Sequence, residues 1–588
     1  MKKKAVLSLL ALVCAVICAF GFSACHNTQN DDDDNIDGTK GLEYELSADE
    51  SSYSVSLPND GNWENADIII PAAYRQKPVT VIKDHGFEDS KIKSVIIPDS
   101  VKTVGTQAFA YCDNLKTVTF GNGVTDIGKF AFRSTALETV TLPDSVKTIG
   151  NNAFGNNGSL KSVTVNANAV FDDFVFDNCP ILEKAEFLGE DSLTLGAQTF
   201  SKSPSLKELT IAAKSATFVY NTFTECKPTK FAATFETICK ADFAYTLHAE
   251  PPKELVFLQT ETFANPNAVS DYSHTVTSVT LPATLKACEQ NAFYSFNKLK
   301  TVIYSGTVGD WCDIDFSNGS ANPLAKGAQL IIGGETIEGK LTVPSSVTKI
   351  MPYAFYKYKI ITELELSDGV TEIGDYAFYE TALRTAELPD GLETIRAHAF
   401  QSSPLYRINM PESLTTIEAH AFAECRLVLV TLPQSLDSLG INAFKDNHML
   451  TRLIMTQEQI DNGMTPDYTD RLSSYFRTLT AESHESTVEK VGNFVFWKDE
   501  NDNYMLMDYL GNEDEITLPA AVNGNKYAIH AFAFEVSELD KITFEDTSNW
   551  QSKYGYNAPN DMDVSDPTTN ASNLQETFVN REWYQKEN

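Results

Sequence analysis

Apolar side chains return along this chain in a regular cycle. Two segments show it plainly: VIIPDSVKTVGTQAF at 95–109 and VTLPDSVKTIGNNAF at 140–154. Each has an alternating, β-branched apolar triplet, then proline and a short polar stretch, then a second apolar pair, a glycine and Ala-Phe. The closing phenylalanine recurs at Phe87, Phe109, Phe132, Phe154, Phe176, Phe200 and Phe223, at steps of 22 to 24 residues. It returns at Phe355, Phe378, Phe400, Phe422 and Phe444 after a less regular region containing Phe243, Phe263 and Phe293, and Phe532 is a late outlier.

A fixed period of this length is the mark of a repeat array. The triplet predicts a short strand with its two apolar residues facing inward and the middle one outward. Proline ends the strand because it cannot donate to a ladder. The second apolar pair, such as Val146 and Ile149, turns the chain inward again. Gly105, Gly128, Gly150, Gly374 and Gly440 are expected to supply a turn, and the phenylalanine ring to fill the centre of each coil. A leucine about six residues later, such as Leu115, starts the next strand. Each coil leaves its apolar edge open until a neighbour stacks on it. The expected fold is a repeat solenoid, mostly β and turn, with a parallel β-sheet on one face.

This motif, repeated about a dozen times over residues 80–305 and 341–455, resembles the BspA-like, or Treponema pallidum-type, leucine-rich repeats of bacterial surface proteins. The resemblance implies a right-handed leucine-rich-repeat coil. It also implies a surface-exposed protein linked to adhesion, to host matrix or to other bacteria.

The remaining segments divide the chain. Lys2, Lys3 and Lys4 precede an apolar stretch from Ala5 to Phe20, which predicts a signal peptide over 1–24. Phe22-Ser-Ala-Cys25 resembles a bacterial lipobox and implies acylation of Cys25; several acyl chains on one residue give stable anchoring. Residues 25–40, with Asp31 to Asp34, read as a lipidated acidic tether. An N-terminal β cap is expected at 41–84, a first repeat block at 85–305, a β-hairpin insertion at 306–340 and a second block at 341–455. A polar connector over 456–493, a cap-like hairpin plus terminal repeat over 494–545 and a polar tail over 546–588 complete the chain. The stretches 41–80 and 494–525 resemble each other, leading into IIIPAA and ITLPAA respectively. Both read as hairpins covering a raw edge.

The net charge of −34 argues against nucleic acid and anionic membranes as partners, and leaves the lipid anchor as the only membrane contact. No zinc-protease, nucleophile-elbow, phosphate-loop or dinucleotide motif is present. No catalytic residues, metal or cofactors are therefore expected. Asp499 to Asn503 lacks the full calcium-loop spacing and reads as a hairpin turn. Cys112, Cys179, Cys226 and Cys425 all fall three residues after the phenylalanine, where other coils have Ser90, Thr135, Asn157, Ser203, Thr381 and Asn447. They read as buried structural thiols, while Cys239, Cys288 and Cys312 lie in irregular regions where a bridge stays open.

His85, His398, His420 and His530 all stand two residues before the phenylalanine, a slot that elsewhere holds Gln107, Asn152, Asn221, Asn291, Tyr353, Tyr376 or Asn442. It reads as a surface slot. In consecutive coils Tyr353, Tyr376, His398 and His420 should form a ladder, a contact stripe for a partner or glycan. A zinc pair at His398 and His420 has no carboxylate or thiol fixed beside it. The outward strand residues form a second candidate surface, Thr-rich early (Thr119, Thr141, Thr164, Thr210, Thr280) and more acidic later through Glu365, Glu387 and Asn409. The function expected is non-catalytic binding at a bacterial surface, to host matrix or mucin proteins, glycans or other bacteria. The alternatives are a glycan-directed surface enzyme or accessory protein using the non-repeat segments, and an architectural spacer.

Overall fold

The computed structural model describes residues 37–585 apart from 59–62, 64, 167, 190, 214, 220, 227, 235–251, 259, 264–274, 451, 463, 465–476, 481–486, 500, 512, 532, 535–538, 554–558 and 578–580. Cys25, Cys239, Phe243 and Phe532 lie outside the described residues.

The chain is a parallel-sheet solenoid. The alternating triplets form strands such as Thr139–Leu142 and Ser162–Val165, which pair in parallel with Val140 opposite Val163 and Thr141 opposite Thr164. This sheet runs on to Thr301–Tyr304 and Gln329–Ile332. The apolar triplet ends are buried and the residues between them exposed or half-exposed. The second apolar pair builds a further parallel sheet from two-residue strands, including Thr103–Val104, Asp126–Ile127 and Thr148–Ile149. Each coil therefore has two sheet faces.

The third face is made of turns, and they too are laddered. Phe109 N donates to Ala131 O at 2.7 Å, and the backbone N–H groups two residues before and after it donate to Lys129 O and Arg133 O. Those flanking residues, Gln107 and Tyr111, have φ of 53° and 59°. With a left-handed residue at every fourth position of the turn, every second N–H there bonds a carbonyl of the next coil, so buried backbone groups find partners. The repeat glycines have another reason. None of Gly105, Gly128, Gly150, Gly374 and Gly440 has positive φ. A Cβ on Gly105 would lie 2.6 Å from Asp84 N, and one on Gly440 2.2 Å from Ala419 N. Close approach of neighbouring coils, rather than turn geometry, excludes a side chain there.

Inside, the phenylalanine rings stack in a column: Phe87 on Phe109 at 4.9 Å, and in the second block Phe355, Phe378, Phe400, Phe422 and Phe444 at 5.3–5.5 Å. Phe263 departs from this. It lies in a two-residue strand, Thr262–Phe263, in register with Cys288, so it belongs to the second sheet, although it still packs on Phe293. Beside the column, cysteine, serine or asparagine three residues after a phenylalanine reaches back to the carbonyl of the previous one, while Thr135 and Thr381 bond the next such residue, Asn157 and Ser403. Cys112 Sγ lies 3.0 Å from Phe87 O, Ser403 Oγ 2.7 Å from Phe378 O, and Asn447 Nδ2 2.7 Å from Phe422 O. Six cysteines, Cys288 and Cys312 among them, are free and buried, and burial lifts the Cys112 thiol to about 11. They are inert, as buried thiols are.

The segment 306–340 is a modified coil more than a hairpin excursion. A helix, Val308–Cys312, capped by Thr307, brings Trp311 into the core. Asp315–Phe316 extends the second sheet and Gln329–Ile332 the first, and only Glu335–Thr336 folds back antiparallel. Trp311 Nε1 and Asn322 Nδ2 both donate to Ala354 O, at 2.9 Å each, which ties the first block to the second. One hydrophobic core runs through both.

The two ends share a topology. At the first, a hairpin of Glu43–Leu46 and Tyr53–Ser56 leads to parallel pairing of Tyr53–Ser56 with Lys77–Ile82, and of Asp67–Ile69 with Ser94–Ile97. Near the other, Phe494–Lys498 and Tyr504–Tyr509 form the hairpin; Tyr504–Tyr509 pairs in parallel with Tyr527–Ile529, and Glu515–Leu518 with Lys541–Phe544. The polar segment after 546 contributes Trp550–Lys553 and Glu582–Gln585 to this terminal sheet. Trp550, Val564, Leu574 and Trp583 bury its sparse apolar residues in a core of its own.

This terminal unit docks on the last coils through Val428, Met449, Trp497, Met505 and Met507. Arg426 and Asp508 form a buried ion pair at 3.0 Å across the junction. His530 is buried there too, and burial, then Arg426 and His448, press its pKa down to about 4. The folded state thus favours neutral imidazole. Its contribution to stability is full above the ordinary value of 6.5 and should be lost as pH falls from there toward 4, on the order of 3 kcal/mol in all. Urea midpoints between pH 7 and 4 should show this acid loss in the native chain, and less of it in His530→Gln.

Candidate functional site

Among the described residues, thirteen coils carry a left-handed residue two positions before the column phenylalanine, from His85 through Asn442. Asparagine suits that conformation best after glycine, and it appears at Asn152, Asn221, Asn291 and Asn442. In the first block it also holds the rings of His85, Phe130 and Phe174, and in the second block four successive slots hold rings: Tyr353, Tyr376, His398 and His420, with φ between 56° and 61°. The rings stack along the axis. Tyr353 lies 5.1 Å from Tyr376, Tyr376 4.4 Å from His398, and His398 5.0 Å from His420, all within 9° of parallel. A second column, Tyr356 on Tyr379 at 5.1 Å, meets the first edge to face.

All six side chains are half-buried. Their faces cover one another, so the edges face outward. Burial holds the tyrosine hydroxyls above their ordinary range, Tyr379 at about 12, and they remain protonated donors at neutral pH. Burial, then His398 and Lys445, hold His420 below its ordinary value. Gln401 fixes His398: its Oε1 lies 2.5 Å from Nδ1, while its Nε2 donates to Glu424 at 3.0 Å. Nδ1 therefore carries the proton, leaving Nε2 for solvent or a partner. Lys357 sits over Tyr356 at 5.5 Å and pairs with Glu380 at 3.2 Å.

Parallel imidazoles in a stack aim their nitrogens side by side, whereas zinc needs ligands converging within about 2.1 Å. Among the described residues, no cluster of three or more metal-ligating side chains occurs.

A bulky residue in left-handed conformation costs roughly 1–2 kcal/mol, and a good aromatic contact returns about 0.5–1.5 kcal/mol. The rings therefore gain the fold little over asparagine. Tyr376→Asn is expected to shift the unfolding free energy by less than about 1 kcal/mol in a urea titration, while removing the centre of the stripe.

The strand residues sit on a different face and do not join this group. Glu365 is held by Lys340 at 3.3 Å and by Thr342 at 3.1 Å. Glu387 is exposed. Asn409 is engaged by the fold: its amide both accepts from Leu388 N and donates to Leu388 O, at 2.7 Å each. It substitutes for backbone pairing where the strand Arg407–Ile408 stops, and it remains exposed. Tyr356, Tyr379, Lys357 and Gln401 were missed by the sequence reading. Their signal was register, since Tyr356, Tyr379 and Gln401 each directly follow a repeat phenylalanine.

The profile of the BspA type leucine rich repeat region matches this chain in six copies, over residues 80–194, 170–268, 252–322 and 337–451. The chain belongs to the BspA type leucine-rich-repeat family. No curated protein sequence matches it. Several solved structures are similar to it at low identity. A Treponema pallidum leucine-rich-repeat protein is 22% identical over 32% of this chain and 86% of its own, with a TM-score of 0.28. A Bacteroides ovatus leucine-rich-repeat protein is 17% identical over 76% and 99%, with a TM-score of 0.25. A Faecalibacterium prausnitzii protein described as a leucine rich cell surface protein is 17% identical over 77% and 97%, with a TM-score of 0.21. In this BspA type array, the stacked run of tyrosine and histidine rungs lies in the second block, while His85 stands in the same slot of the first. Among the described residues no helix is long and apolar enough to cross a membrane, and residues 1–36, with the expected signal peptide and Cys25, lie outside them.

Proposed function

We propose that this protein is an exported, non-catalytic surface protein, anchored through an acylated Cys25, that binds protein or glycan partners through the turn face of its second block. The observation that carries the reading is the Tyr353, Tyr376, His398, His420 ladder in a backbone slot where asparagine would serve the fold as well. Stacked rings are rigid and lose little entropy on contact. Many anchored copies on one surface add avidity to contacts that are individually weak. The acidic surface, −34 over the chain, keeps such copies soluble and apart.

The test is a binding screen of the soluble chain from residue 26 against matrix proteins, mucin glycans and whole bacteria, beside a Tyr376→Asn, His398→Asn variant. Saturable binding that the variant loses supports the reading. Undiminished binding by the variant removes the stripe from it, and hydrolysis of any substrate in the screen removes the non-catalytic assignment. Absence of any saturable ligand would leave the chain an architectural spacer.

A further inference from the structure

A second feature of the same coils lies at the corner where the turns meet the long strands. A trough of about 580 Å³ runs there along the solenoid axis. Its lining follows five successive coils, with Lys359 on the first, Arg384 on the second, Pro404 on the third, Glu424 on the fourth and Asp446 on the fifth. Arg426 also lines it, but Asp508 neutralises that guanidinium at 3.0 Å. A smaller cavity of about 210 Å³ shares Arg384 and adds Lys490 of the terminal unit, with Glu363 at its side. The trough is therefore bipolar, cationic toward the N-terminal coils and anionic toward the C-terminal ones, with an uncharged middle. The nearest opposite charges at its ends are loosely held: Lys359 is 4.0 Å from Glu380, and Asp446 is 4.0 Å from Lys445.

We infer that this trough binds an extended peptide segment of a partner protein, acidic at one end and basic at the other. The spacing sets the ligand's length. Coils stack at about 4.8 Å, so Arg384 and Glu424 lie roughly 10 Å apart along the axis, and Lys359 and Asp446 roughly 20 Å. An extended peptide rises about 3.3 Å per residue, so about three to six residues separate its charges. A neutral glycan answers neither end, and a polymer of one sign is opposed at one of them. The net charge of −34 further disfavours a purely acidic ligand. The trough does not rest on the aromatic stripe, although Glu424 also accepts from Gln401 of the stripe.

The experiment uses fluorescein-labelled peptides EEGSGSKK, EEGSGSEE and KKGSGSKK, with anisotropy read against the soluble chain from residue 26 at low salt. The bipolar peptide should bind about tenfold more tightly than either of the others, and added salt should weaken it. Lys359→Glu should turn the preference to the basic peptide, and Asp446→Lys to the acidic one. Equal binding of all three peptides, or an unchanged ranking in both charge variants, overturns the inference. So does displacement of every peptide alike by mucin oligosaccharide, which would assign the trough to glycan. A dimer in sedimentation that Lys359→Glu dissolves would assign it to a second copy and overturn it too.

Discussion

Phe400→Ala should destabilise the second block by about 3–5 kcal/mol. The ring is fully buried and packs between Phe378 and Phe422 at 5.3 Å on each side. Its removal leaves a cavity that the backbone cannot close, because Phe400 N is tied to Ala421 O and Phe378 N to Ala399 O. In a stacked array the loss is local before it is global, since each coil touches only its neighbours. Hydrogen exchange should therefore show coils 355–444 opening first, with 87–223 retaining protection. Loss spread evenly over both blocks would instead mean that the chain unfolds as one unit. An unchanged exchange pattern would mean that the ring column does not carry the core.

Asp508→Ala should cost about as much, 3–5 kcal/mol, by stranding Arg426 in the buried junction. The expected readout is release of the terminal unit, seen as rapid proteolysis after residue 461 with the repeat blocks intact. Replacing both partners together, Arg426→Met with Asp508→Leu, should recover most of the loss, because the stranded charge is what destabilises. Burial outweighs Arg426 and holds the Asp508 carboxyl above the usual carboxylate range. A raised value means that this group's contribution is fullest in acid and falls as pH rises through it, opposite in sign to His530. Acid weakening of the junction is thus assigned to His530, and the paired variants separate the two.

The repeat made most of the fold legible, because alternation and period are local properties of sequence. Val140, Thr141 and Leu142 state their own orientation, and the cysteine, serine or asparagine three after a phenylalanine announced a carbonyl to satisfy. What the period concealed was the reason for some residues. The glycines looked like turn formers, yet their constraint is the neighbouring coil, which lies 21 to 24 residues away in sequence. The slot before Ala-Phe looked like plain surface, and its left-handed backbone shows only when asparagine at four positions is weighed as a conformational signal. Trp311 and Asn322 hid a coil because their partner, Ala354, lies in the next block. In the candidate site the ladder could be placed from register alone. The second tyrosine column, the Gln401 link and the engagement of Asn409 with Leu388 depend on side-chain geometry that spacing does not carry.

The central claim is that the aromatic rungs of the second block serve contact rather than folding. The most direct measurement takes one variant, with Tyr353, Tyr376, His398 and His420 all changed to asparagine, and reads both its unfolding free energy and its binding to the partner found by the screen. The account predicts stability within about 2 kcal/mol of the native chain, with binding abolished. Native binding by this variant, or a second block that no longer folds, would contradict it.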